Sequence, residues 1–210
     1  MRTRFLSTFA STVTAVALVG GCSGGSTPNA TTPSAAPSQT GKALPYAGAP
    51  KVENPLPESV LSGHPCDGAL TPDQLSQILT IQPQGEHADN PALGTECQWR
   101  NSEAGALATV LYATKVPDGL SALYAKTKPQ STVWRTLSPI QGFPAVAHST
   151  YSNETSKAFC QVSVGISDQR EIDVSLSLGE AKVNEGADPC ELTGRVADMV
   201  VTNLRQKAGA

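Results

Sequence analysis

The sequence predicts an α+β fold, with helices packed on an antiparallel sheet in a single domain cross-linked by disulfides. Three observations support this class. Two consecutive segments between residues 159 and 178 alternate apolar and polar side chains, as a strand with one buried face requires. Two other segments begin with a capping residue followed by proline and continue with apolar residues at helical spacing. Beyond the N-terminal segment the chain carries an even number of cysteines.

The N-terminus has the pattern of a secretory signal that ends in a lipidated cysteine. Arg2 and Arg4 supply positive charge, and residues 5–19 form an apolar run too short for a permanent membrane span. The following LVGGC stretch resembles the bacterial lipobox, whose cysteine is acylated and becomes the new N-terminus. We therefore predict a signal peptide over residues 1–21 and lipid attachment (diacylglyceryl and palmitate) at Cys22. The alternative is ordinary secretion without the anchor.

This pattern locates the protein at the extracytoplasmic face of the cell membrane, held there by its lipid, since two or more acyl chains anchor a protein stably. Residues 22–58 follow with the composition of a disordered tether, rich in proline, serine, threonine and glycine. Such a coil spans roughly 30–35 Å. Residues 59–207 then have the length of one ordinary domain.

Three helices are predicted in this domain. The first begins at Thr71, which caps it, with Pro72 as the first helical residue and Gln74 completing a capping box. The last begins in the same way at Asp188 and carries one apolar stripe. A weaker middle helix follows the turn PDG and ends before Pro129.

Five segments have strand character, namely ECQWR, ALATVLYA, PAVAHSTY, FCQVSVGI and EIDVSLSL. The last two show the clearest alternation, and a polar turn around Asp168 joins them. They predict an antiparallel hairpin with one buried face.

The polar face of this hairpin is the candidate ligand or partner surface. It carries short side chains where a solvated face more often carries Lys, Glu and Arg. The candidate residues are Gln161, Ser163, Ser175 and Ser177, together with Trp134 as an aromatic surface for a ring. A face covered by a helix or loop is the alternative interpretation.

Cys66, Cys97, Cys160 and Cys190 are predicted to form two disulfides, since an extracytoplasmic compartment is oxidising. Three connectivities are open. The two local closures, Cys66 with Cys97 and Cys160 with Cys190, cost the least to form. Each would close a loop of about 30 residues and add roughly 3–4 kcal/mol of stability.

The sequence contains no G-x-S-x-G elbow, no H-E-x-x-H motif and no P-loop glycine pattern, and its histidines are His64, His87 and His148. His64 and Cys66 form an H-x-C pair that could bind a metal, but an oxidised Cys66 offers no thiolate, so no metal and no cofactor are expected. The net charge is −3 and becomes −5 without the two arginines of the signal. This acidic balance argues against nucleic acid as a partner.

The segments HPCDGALTPDQL, CQWRN, GFPAVAHS and DPC occur in an order similar to that of the family with the domain of unknown function DUF3558. The resemblance extends from about Ser62 to Leu204. Members are actinobacterial lipoproteins with the same layout of signal, linker and domain, so the resemblance implies location and architecture. The family has no established activity. His64 departs from its pattern, which more often has an acidic residue there.

These observations predict a binding or accessory module of the cell envelope without catalytic activity. Its partners would be the membrane, through the lipid, and an envelope protein or small ligand. The alternatives are an envelope hydrolase with a nonstandard site built from Ser, Asp and His148, or a purely structural envelope protein. A pocket lined by Trp134 or the hairpin serines would favour the binding module over the structural protein. A hydrogen-bonded contact among His, Ser and a carboxylate would favour the hydrolase.

Overall fold

A computed structural model describes residues 42–153 and 155–209, so the predicted signal peptide and Cys22 lie outside the described residues. The helices are α1 (Pro72–Leu79), α2 (Gly119–Lys126), α3 (Thr155–Ala158), α4 (Glu180–Asn184) and α5 (Pro189–Ala208). The strands are β1 (Glu86–His87), β2 (Thr95–Asn101), β3 (Ala106–Tyr112), β4 (Val133–Thr136), β5 (Ala145–Ser149), β6 (Phe159–Gly165) and β7 (Glu171–Ser177).

The seven strands form one antiparallel sheet in the order β1-β2-β3-β7-β6-β5-β4. The chain builds one half of the sheet with its first three strands, crosses to the far edge through α2, and returns to the centre. Pairing between β3 and β7 therefore joins the two halves. The predicted α+β class and the predicted β6–β7 hairpin are confirmed.

One face of the sheet is covered by helices. The core cluster combines inward-facing side chains of the central strands with the apolar stripe of α5, among them Val162, Val174 and Val200. The first helix starts with the predicted capping box, in which Thr71 and Gln74 exchange side-chain and backbone hydrogen bonds. The α5 helix is capped by Asp188, the residue before its first turn, whose carboxylate accepts hydrogen bonds from the N–H groups of Cys190 and Glu191.

Four short elements were not predicted from the sequence, namely β1, β4, α3 and α4. They contain two to five residues each. Such lengths are too short to show a hydrophobic period, and β1 and β4 are edge strands with one partner each.

Both disulfides are present, and each closes the local loop. One joins Cys66 to Cys97 and the other joins Cys160 to Cys190. The first ties the turn Pro65–Asp67 to β2, and the second ties β6 to the start of α5. Each bond thus holds a helical segment against the sheet.

The folded domain begins earlier than residue 59. Val52 and Leu56 are buried in the core cluster, although the surrounding composition predicts a tether. The Val52 N–H donates to Asp168 Oδ1 at 2.9 Å, and the Leu56 N–H donates to the Ile166 carbonyl at 2.9 Å. These isolated apolar residues of a proline-rich segment are thus buried, and their backbone is hydrogen-bonded to the β6–β7 turn. Within the described residues, no helix combines the length and hydropathy needed to cross a membrane.

Candidate functional site

The sheet face opposite α1 and α5, here called the open face, is only partly covered. Leu120, Leu123 and Tyr124 of α2 pack with Val146 of β5 in a second hydrophobic cluster. Gly165 of β6 lies under this cover, where an added Cβ would come 2.8 Å from the Leu120 side chain. The absence of a side chain at this position lets α2 lie close to the sheet.

Two rows of side chains cross the open face. The strand register aligns one row as Gln98, Thr109, Ser175, Gln161, His148 and Trp134, and the neighbouring row as Glu96, Leu111, Asp173, Ser163 and Val146. Directly opposite residues of antiparallel strands project from the same side of the sheet. The register therefore brings polar side chains from five strands, β2, β3, β7, β6 and β5, onto one face.

A cleft of about 280 Å³ lies over the uncovered part of these rows. Its lining residues, which define the cleft below, are Leu93, Glu96, Gln98, Leu107, Thr109, Leu111, Phe159, Gln161, Asp173 and Ser175. The lining combines apolar walls with a few converging polar groups, as small-ligand sites do. It includes two carboxylates, and none of these lining residues is Lys or Arg.

The five sequence-predicted face residues divide among four surroundings. Gln161 and Ser175 line the cleft. Ser163 is fully buried in its row, and Ser177 lies at the end of β7 beside a second crevice against α5. Trp134 lies on the edge strand β4, edge-on to the Tyr124 ring at 5.0 Å and with the Lys128 ammonium 5.4 Å from its centre.

A buried chain of hydrogen bonds runs behind the cleft. His148 Nε2 lies 2.9 Å from Ser163 Oγ, and Ser163 Oγ donates a hydrogen bond to Asp173 Oδ1. The exposed fractions are 3% for His148, 0% for Ser163 and 8% for Asp173. Only Asp173, at the end of the chain, reaches the cleft.

Burial shifts the pKa values of titratable groups in and beside this chain of hydrogen bonds. Desolvation raises the pKa of Asp173 to about 6, and the nearby Glu96 carboxylate adds to this, against hydrogen bonds from Ser163 and Gln161 that lower it. Desolvation lowers the pKa of His148 to about 4. Glu171, two residues from Asp173, has a pKa well above its usual value, first through burial and then through the Asp173 charge. At neutral pH the imidazole is uncharged.

The contact among His, Ser and carboxylate has a different order from that of a nucleophilic triad. In a triad the histidine lies between the serine and the carboxylate, and it accepts the hydroxyl proton. Here Ser163 lies in the middle and donates to Asp173, so the ring N–H of His148 donates to Ser163. With its hydroxyl fully buried, Ser163 is not presented to a substrate in this geometry.

The other two histidines lie in a separate cluster at the β1 edge. The rings of His64 and His87 stack with centroids 3.5 Å apart, and His64 Nε2 lies 2.8 Å from Asp89 Oδ1. His87 is the strand partner of Cys97, a core residue on the helix-covered face, so this cluster and the cleft lie on opposite faces. Two groups of three converging metal-ligand side chains occur among the described residues, and the group of His64, His87 and Asp89 is the one that needs no free thiol, since Cys66 and Cys97 are bonded to each other.

Several cleft residues were not selected from the sequence, among them Glu96, Gln98 and Thr109. The alternation of β2 does contain a signal, since Glu96 and Gln98 face away from Cys97 and Trp99, which belong to the core. That signal shows a polar face on β2. It does not show that this face continues across β7, because the β3–β7 pairing joins residues sixty or more positions apart.

Comparison with known proteins gives one family. The family model described as "Protein of unknown function (DUF3558)" matches residues 17–203, which includes most of the described domain. No curated protein and no solved structure matches the chain.

Proposed function

The chain belongs to the DUF3558 family, and we propose that it is a lipid-anchored extracytoplasmic module that binds a ligand in the cleft and carries out no catalysis. The ligand is a small molecule, or one exposed group of an envelope protein, that presents N–H or O–H donors. The observation that carries the proposal is the composition of the cleft, in which apolar walls surround two carboxylates. The purely structural alternative requires no such site.

The charges of the cleft favour a ligand that donates hydrogen bonds or carries positive charge. Glu96 and Asp173 are separated in their row by Leu111 alone, and the Glu96 charge contributes to the raised pKa of Asp173. An ammonium or hydroxyl group between them would relieve this repulsion. Leu111 and Phe159 would contact the apolar part of the same ligand.

The proposed anchor limits the distance between the cleft and the membrane. Val52 and Leu56, within the segment predicted as a tether, are buried in the core cluster, so the tether is shorter than residues 22–58. The cleft would therefore sample the space close to the membrane surface, and its ligand would be a component of that layer.

The anchor is tested by the intact mass of the protein extracted from membranes, with and without reduction and alkylation. The expected mass begins at Cys22, includes diacylglyceryl and a further acyl chain, and gains four alkyl groups only after reduction. A mass without lipid would overturn the proposed anchor. Alkylation without reduction would contradict the two disulfides.

The cleft is tested by NMR on the mature chain with the substitution Cys22→Ser, using hexylammonium as the probe and hexanol as its uncharged counterpart. Hexylammonium is expected to shift the amide signals of Thr109 and Gln161 more than hexanol does. Ser175→Arg places a cation in the cleft and should abolish these shifts. The matched control, Ser138→Arg, replaces an exposed serine that follows β4 at the other edge of the sheet, outside the cleft, and should preserve them. Equal responses in both variants, or no shift in the unsubstituted cleft, would overturn the proposal.

A further inference from the structure

The cluster at the β1 edge contains three side chains whose ligand atoms converge. His64, His87 and Asp89 each offer one ligand atom, and these atoms all lie within 4.8 Å of one another. The imidazole rings are nearly parallel, with an interplanar angle of 7°, and one of them already contacts the Asp89 carboxylate. None of these three residues contributes to the cleft.

We propose that His64, His87 and Asp89 form a binding site for a divalent transition metal, with Zn²⁺ as the ion that their chemistry matches best. Two imidazoles and one carboxylate are ordinary zinc ligands, and three protein ligands leave a fourth position for water or a further ligand. Zinc–ligand bonds of about 2.0–2.1 Å in a tetrahedron require ligand atoms about 3.4 Å apart. A metal lies in the plane of each imidazole that binds it, and the two rings are parallel in the observed stack, so one ring must turn out of the stack for both to bind the same ion.

The disulfide and the strand pairing preorganise this site. His64 precedes Cys66 by two residues, and His87 is the strand partner of Cys97, so the Cys66–Cys97 bond brings the two imidazoles together. The Asp89 carboxylate is oriented by the Glu96 N–H, which donates to its Oδ1 at 3.0 Å. Ligands carried on a rigid backbone frame lose little freedom when a metal binds.

The hydrogen bonds of His64 show which ring nitrogen carries the proton that the metal replaces. The Cys66 N–H donates to His64 Nδ1 at 3.2 Å, so Nδ1 is the acceptor and Nε2 carries the ring proton that faces Asp89. A metal at Nε2 takes the place of that proton, which moves to Nδ1 through solvent, and the bond from Cys66 is given up. The turn itself keeps its position because Cys66 remains bonded to Cys97.

The test is a Zn²⁺ titration of the mature chain carrying Cys22→Ser, purified without a polyhistidine tag and followed by competition with a chromogenic chelator. One Zn²⁺ per chain is expected, and His87→Asn and Asp89→Asn should each weaken binding at least tenfold. Glu86→Gln is the matched control, since Glu86 is the other residue of β1, and it should change affinity less than twofold. Failure to bind Zn²⁺, or equal binding by all three variants, would overturn the site.

Ring-nitrogen NMR supplies a second readout. Saturating Zn²⁺ is expected to shift the ring nitrogens of His64 and His87 and to move the His64 proton from Nε2 to Nδ1. The ring signals of His148, which lies on the opposite face, should not change. A shift of His148, or no shift of His64, would contradict the assignment. The site does not depend on the ligand proposed for the cleft, so either proposal can fail alone.

Discussion

The imidazole of His148 is linked to the carboxylate of Asp173 through a single hydroxyl, that of Ser163. Burial shifts the pKa of the two end groups in opposite directions, to about 4 for the histidine and to about 6 for the aspartate. In each case burial favours the uncharged form. Their contributions to the pH dependence of stability therefore oppose each other in the unsubstituted protein.

Asp173→Asn should increase the free energy of unfolding, relative to the unsubstituted protein, by more at neutral pH than at acidic pH. The folded pKa of Asp173 is about 6 against 3.8 for the unperturbed group, so the stability that its protonation contributes is fully present below pH 3.8 and is lost as the pH rises through 6. A difference of about two pKa units corresponds to an upper limit of about 3 kcal/mol. Urea unfolding of both proteins at pH 4 and pH 7.5 measures the change. A stability difference that is the same at both pH values would contradict the raised pKa.

His148→Gln should show the opposite pH dependence. The folded pKa of His148 is about 4 against 6.5 for the unperturbed group, so the stability contributed by its neutral form is present above pH 6.5 and is lost as the pH falls through 4. The variant lacks this loss, and relative to the unsubstituted protein it should gain up to about 3 kcal/mol between pH 7 and pH 4. Replacing a buried hydrogen-bonding ring carries a constant cost at every pH, so only the pH-dependent part of the difference tests the prediction.

Deleting residues 42–58 should destabilise the domain. The deletion exposes the sites that Val52 and Leu56 occupy in the core, and burial of two such side chains contributes about 3–6 kcal/mol. The comparison is between a chain that begins at residue 42 and one that begins at residue 59, by the midpoint of urea unfolding. Equal midpoints would show that the segment is a tether up to residue 58, as its composition predicts.

Removing either disulfide should cost a similar amount of stability. The two bonds have sequence separations of 31 and 30, and loop-closure entropy assigns each about 3–4 kcal/mol. The double variants Cys66→Ala with Cys97→Ala, and Cys160→Ala with Cys190→Ala, are compared by guanidinium unfolding. Because the loops are nearly equal, a large difference between the two losses would be due to native packing. A loss below about 1 kcal/mol in both would contradict the loop-closure estimate.

The most local patterns in the sequence were the most informative. The capping box at Thr71 and the cap at Asp188 were predicted because each involves residues within three positions of one another. The β6–β7 hairpin was predicted for the same reason, since its two strands alternate and a short turn joins them. The burial of Val52 and Leu56 was not predicted, because their partners at the β6–β7 turn lie more than a hundred positions further along the chain.

Local patterns along the chain were enough to predict the α+β class, the starts of the first and last helices, the two faces of the hairpin and two disulfides. Tertiary structure alone decided which polar side chains share the cleft and which ligand atoms meet at the β1 edge. The physical reason is that alternation along a strand specifies the face on which a side chain lies, but not the neighbouring strand. The neighbours of β7 follow from global packing, which sets Asp173 opposite Leu111 and in the same row as Glu96. In the same way, a disulfide and a two-residue strand bring together His64 and His87.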